Sequence, residues 1–65
     1  MNLLPHQQRV VSEREELDWK LGNLMAFFKT PAFHALPGVE RADLKDQAEA
    51  MAEYSRILTK RIGRF

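Results

Sequence analysis

The residues that could do chemistry are polar and cationic side chains gathered near the two ends of the chain. The last ten residues carry four positive charges and no acid: Arg56, Lys60, Arg61 and Arg64. Guanidinium groups bind phosphates and carboxylates through paired hydrogen bonds. Cations in the last turns of a helix also complement the helix dipole, so the charges alone do not indicate a ligand.

Arg61 differs from the other terminal cations because it shares a helical stripe with Tyr54 and Ile57. An arginine on a half-apolar face needs a polar partner once that face is buried. The partner could be Glu15 or Asp18 of a neighbouring chain, or a phosphate. Arg61 is therefore the cation that points most directly to a binding site.

A second cluster, His6 and Arg9 with two amides between them, lies near the start of the chain. At the beginning of a helix such groups favour anions and stacked bases, although a frayed polar terminus has the same composition. Lys20 and Lys29 are two further cations. As single residues they are equally typical of a solvated surface.

The sequence argues against catalysis. Acids lie beside bases at helical spacing, as Glu16 does with Lys20, which is typical of a solvated face. His6 and His34 have no adjacent serine or cysteine nucleophile, and their separation of 28 positions matches no metal motif. The absence of cysteine excludes disulfides and thiolate metal sites. We expect no enzyme activity, no metal and no cofactor.

Size and composition limit the remaining classes. The 65 residues suffice for one small domain, residues 1–65, with little core. A net charge of +1 argues against a binder of DNA or RNA duplexes, and 45% apolar residues argue against disorder. No stretch approaches the apolar length of a membrane span, and the lack of cysteine fits a reducing cytoplasm.

Helical periodicity accounts for most of the chain, and no strand pattern is present. The first predicted helix runs from Pro5 to Phe28, with one apolar stripe that Arg14 interrupts. A short turn follows, with Thr30 as its N-cap and an end by Leu36. The apolar stripe of the first helix comprises Val10, Leu17, Leu21, Leu24 and Phe28.

The last predicted helix runs from about Val39 to Ile62 and carries a heptad-like seam. The seam comprises Leu44, Ala48, Met51, Ser55, Leu58, Ile62 and Phe65. Two apolar stripes on consecutive helices predict an all-α fold. The architecture is an antiparallel helical hairpin with a short or kinked N-terminal helix, assembled into a homo-oligomer.

Each long helix also has a second face that a two-helix hairpin cannot cover. We predict an oligomer interface comprising Val11, Trp19, Gly22, Ala26, Tyr54 and Ile57. So short a chain gains little from its own core, and without disulfides or metal, self-association is the leading way to stabilise it. The alternative is that Trp19 caps the hairpin in a half-exposed position.

Three stretches, HQQRVVSEREELDWKL, FFKTPAFHALP and QAEAMAEYSRILTKRI, together resemble the small phage anti-CBASS proteins that act as cyclic-nucleotide sponges. Those proteins are compact helical hexamers. The resemblance implies that the chain sequesters cyclic di- and trinucleotides in the host cell cytoplasm without cleaving them. Self-association into a hexamer is implied with it.

The resemblance also implies which residues bind the ligand. Arg9 and Lys20 match family positions, and Thr30 beside Lys29 could supply the hydroxyl of a dinucleotide site. Arg61 matches a phosphate contact in a separate trinucleotide pocket. His6 departs from the pattern, because the sponges carry tyrosine at that position.

Two other hypotheses about function remain open. The chain could be a structural or protein-interaction module whose second stripe docks on a host or phage protein. It could also be a weak nucleic-acid accessory protein, although the interspersed acids argue against this.

Overall fold

The fold is an elongated helical hairpin. A computed structural model describes residues 2–65. Helix α1 spans Pro5–Phe27, the short helix α2 spans Pro31–His34, and α3 spans Gly38–Ile62. α1 and α3 pack antiparallel along a body of 47 × 15 × 13 Å, which confirms the predicted all-α hairpin.

Helix α1 begins at a proline and continues without a break. Pro5 occupies the first turn, where its missing N–H is not needed. The Leu4 backbone N–H donates to Gln7 Oε1 at 3.0 Å, which satisfies a free donor at the helix start. Gly22 does not interrupt the helix. The short helix of this fold is therefore the central α2 and not an N-terminal segment.

The connection between the long helices is built around Thr30 and Phe33. The Thr30 hydroxyl donates to the Phe27 carbonyl at 2.7 Å and accepts from the Phe33 N–H at 3.3 Å. Thr30 is thus the N-cap of α2, as its place before Pro31 predicts. The Phe33 side chain is only 3% exposed and closes this end of the hairpin.

The interface between α1 and α3 is narrow. Val10, Phe33 and Leu58 are the buried residues among those described, and Leu58 alone is fully buried. The other members of both predicted stripes are half-buried, apart from Phe65, which is 39% exposed. α3 ends at Ile62, so the seam stops there.

Polar groups also enter the interface. The Ser55 hydroxyl donates to a carboxylate oxygen of Asp18 across the two helices. Arg14 is half-buried where it interrupts the stripe of α1. Within residues 2–65 no helix is long and apolar enough to span a membrane.

Candidate functional site

The two sides of the hairpin expose different surfaces. On one side an open, mostly apolar depression of about 380 Å³ runs between α1 and α3, and we call it the groove. Its apolar members come from both helices, and its two charged members from α3. The groove is lined by Leu21, Met25, Phe28, Lys45, Ala48, Glu49 and Ala52.

The opposite side carries a smaller depression beside the exposed ring of Tyr54. This Tyr54 notch has a volume of about 210 Å³ and is lined by Glu13, Glu16, Leu17, Lys20 and Tyr54. Tyr54 is 43% exposed and Ile57, one turn along α3, is 41% exposed. The notch therefore combines an apolar floor with a charged rim.

The charges of the Tyr54 notch are only partly neutralised. Lys20 Nζ lies 3.4 Å from Glu16 Oε1, one turn away on α1. Glu13 is in no ion pair among the described residues. An unneutralised carboxylate therefore stands on the rim, close to the exposed Tyr54 ring.

The predicted oligomer contacts lie on separate surfaces. Trp19 is 68% exposed, and at about 100° per residue it lies roughly 160° from Leu17 and Leu21 on the helix circumference. Gly22, nearby on this outer face, is open, since a Cβ there would meet nothing within 4 Å. Tyr54 lies with the notch instead. The predicted interface stays a prediction, divided between two faces.

Five of the six predicted ligand residues lie at the two ends of the hairpin, and Lys20 lies between them on α1. His6 and Arg9 in the first turns of α1 and Arg61 in the last turn of α3 lie at the open end, and all three are exposed. Lys29 and Thr30 lie at the closed end, beyond the end of α1 at Phe27, and about 27 Å of helix separates Arg9 from that end. A single chain therefore does not gather these residues into one pocket.

Two of these residues already have structural roles. Lys20 is paired with Glu16, and both bonds of the Thr30 hydroxyl serve the start of α2. Arg61, with Lys60, lies where cations complement the dipole of α3.

An exposed ion pair with a perturbed titration lies on the outer surface of α3. Arg56 Nε and a terminal nitrogen donate to the two carboxylate oxygens of Glu53, at 2.9 and 2.6 Å. Hydrogen bonding to Arg56 lowers the pKa of Glu53; desolvation raises this pKa by a smaller amount, and the positive charge of Arg56 lowers it further. Hydrogen bonding to Glu53 in turn raises the pKa of Arg56. The hydrogen bonds therefore stabilise the charged forms of both Glu53 and Arg56 on the surface.

Sequence reasoning missed the groove. Leu21, Met25 and Phe28 are spaced as one face of a helix, and this spacing was the available signal. Met25 was not singled out, yet its side chain is 55% exposed at the groove. Sequence reasoning also missed that the Nε atoms of Arg14 and Arg41 are buried without a hydrogen-bond partner.

Comparison with known proteins gives one curated relative and no solved structure. The chain is 33% identical over 63 residues to an uncharacterized 7.5 kDa protein encoded in the denB-rIIB intergenic region of Enterobacteria phage T4. The alignment covers 97% of this chain and 98% of the relative. No solved structure matches.

A family model described as Sequestin matches residues 4–64. The resemblance to the anti-CBASS sponges was therefore wrong, and the sequestration of cyclic di- and trinucleotides predicted from it is corrected with it. The hexamer rested on the same resemblance and loses that support. No enzyme family is indicated. Because the match covers nearly the whole chain, the protein belongs to the Sequestin family.

Proposed function

We propose that this chain is a phage protein-interaction module that captures a partner protein stoichiometrically in the host cell cytoplasm. The exposed Tyr54 and Ile57 beside the Tyr54 notch carry this proposal. Tyrosine is one of the few residue types that supply most of the binding energy at the centre of an interface. The family description, Sequestin, fits a protein that acts by holding its target.

Binding accounts for the residues present better than catalysis does. Within residues 2–65, no group of three or more histidines and acids could hold a metal ion. His6 lies in the first turn of α1 and His34 in α2, at opposite ends of the hairpin, so they cannot act together. A protein that only binds needs no such constellation, because tight association removes its target by mass action.

The Tyr54 side favours a protein as the occupant. Sites for small molecules are concave and bury most of their ligand. The notch is shallow and open, and Ile57 extends its apolar surface along α3. An extended surface of this kind matches the apolar centre and polar rim of a protein interface.

The charges around this surface define the chemistry of the partner. Glu13 on the rim calls for a basic side chain, because it is in no ion pair. Arg61 lies two turns beyond Tyr54 on the same stripe and calls for an acidic group. We therefore propose a partner with an apolar side chain that enters beside Leu17 and Tyr54, flanked by one basic and one acidic residue.

Affinity capture followed by calorimetry tests the proposal. The purified chain is immobilised, exposed to enterobacterial lysate, and the retained protein is identified, produced and titrated back. We expect saturable binding at one partner per site, weakened about 30-fold by Tyr54→Ala. Phe65→Ala is the matched control, because Phe65 is a similarly exposed aromatic outside the notch.

Two results would overturn the proposal. One is a partner that binds Tyr54→Ala as tightly as the unmodified chain. The other is that the chain retains a small molecule, which heating releases intact, and that no retained protein binds the chain in the titration.

A further inference from the structure

A single hairpin exposes more surface than a folded monomer of its mass should. The scaling for compact monomers gives about 4,300 Å² at 7.6 kDa, whereas this chain exposes 4973 Å². Its radius of gyration is 14.9 Å against about 11 Å for a compact domain of the same length. The excess of about 700 Å² is close to the roughly 800 Å² that each partner buries in a standard interface.

Part of this surface is the groove, and its composition suits a helix as occupant. Ala48 and Ala52 form the α3 wall, and such small residues let a second helix approach closely. Leu21, Met25 and Phe28 form the α1 wall. Met25 is unbranched and adaptable, and more than half of its surface is exposed to solvent in the single chain.

The charges of the groove are complementary to those of the same groove on a second copy. Lys45 and Glu49 both lie on the α3 wall, one turn apart, and neither is in an ion pair among the described residues. In a two-fold arrangement with α3 antiparallel to the α3 of a copy, Lys45 of each chain faces Glu49 of the other. A second copy therefore supplies an acidic partner for Lys45 and a basic partner for Glu49 at once.

We propose that the groove is the interface with a second copy of this chain, which forms a two-fold symmetric four-helix dimer. Two hairpins joined this way bury Met25, Ala48 and Ala52 and give the chain the core that its three buried residues do not provide. The dimer leaves the Tyr54 notch on the outer surface. The assembly is independent of the proposed partner protein, which occupies that notch.

The test is the oligomeric state of the purified protein, measured by sedimentation and light scattering from low to high micromolar concentration. We expect a dimer. Ala52→Glu places a charge in the groove and should weaken dimerisation about 100-fold. Ala50→Glu is the matched control, because Ala50 is also an exposed alanine of α3 but does not line the groove, and it should stay dimeric.

A charge exchange tests the two-fold register. Lys45→Glu should weaken the dimer by setting two acids against each other, and adding Glu49→Lys should restore it. Helical circular dichroism checks that each variant is folded. A monomer at every concentration would overturn the proposal, as would an oligomer that Ala52→Glu leaves unchanged. Failure of the double variant to recover would overturn the antiparallel register.

Discussion

Phe33 packs at the closed end of the hairpin, and Phe33→Leu tests how much its ring contributes to the free energy of unfolding. Its ring centroid lies 4.9 Å from that of Phe28 and 5.9 Å from that of Phe27, the latter edge-on at 81°. Lys45 Nζ lies 5.9 Å from the same centroid. Leucine keeps most of the apolar volume but removes every interaction that needs the ring.

The magnitude follows from these contacts. Each aromatic pair contributes about 0.5–1.5 kcal/mol beyond its buried area, and a partly exposed cation–π contact about 0.5–1 kcal/mol. We expect Phe33→Leu to lower the free energy of unfolding by about 2–3 kcal/mol. A domain this small has only about 3–5 kcal/mol in total, so the midpoint of thermal unfolding should fall by about 10–20 °C.

Urea unfolding followed by helical circular dichroism measures the effect. Protein concentration is held fixed, because self-association would add a concentration-dependent contribution to stability. Phe65→Leu is the matched control, since Phe65 lies beyond α3 and is 39% exposed. It should change the free energy of unfolding by less than about 0.5 kcal/mol. If Phe33→Leu lowers the free energy of unfolding by no more than this control, the aromatic contacts of Phe33 do not stabilise the closed end of the hairpin.

Two further predictions concern the exposed surfaces. Gly22→Ala should raise the free energy of unfolding by about 0.5–1 kcal/mol, because alanine leaves the unfolded chain fewer conformations than glycine and its Cβ meets nothing within 4 Å in the helix. Destabilisation in the same urea assay would contradict this and would fit a Trp19 face packed against a copy, as the sequence predicts. The pKa of Glu53 should lie below its ordinary value of 4.5 in an NMR pH titration and return towards that value in Arg56→Gln. Because the folded-state pKa is lowered, the pair stabilises the fold above that ordinary value, and its contribution is lost as pH falls through the folded-state pKa. An unchanged Glu53 titration in Arg56→Gln would contradict the role of the hydrogen bonds.

Local patterns in the sequence were enough to predict the helices. Pro5 and Thr30 mark helix starts because of what a missing N–H and a short hydroxyl do at an N-terminus. The apolar spacing identified the inward sides of α1 and α3, including the fully buried Leu58. These features depend on residues within a few turns of each other, so one sequence contains them.

The family and the ligand could not be predicted from such local patterns. Order and spacing of common residue types in a helical hairpin suggested a resemblance that the match to Sequestin contradicts. Arg9, Lys29 and Arg61 are all candidate phosphate-binding cations in the sequence, but the antiparallel fold places Arg9 and Arg61 at the open end of the hairpin and Lys29 at the closed end. Charge type alone does not tell which cations can meet.

The sequence by itself determined the two long helices, their inward faces and the absence of a thiol site. Only the tertiary structure decided that Leu21, Met25 and Phe28 share a groove with Ala48 and Ala52, and that Tyr54 stands with Leu17 on the opposite side. The physical reason is that periodicity fixes where a residue lies around its own helix. Which two helix faces form one surface depends on how α1 and α3 are rotated and aligned against each other.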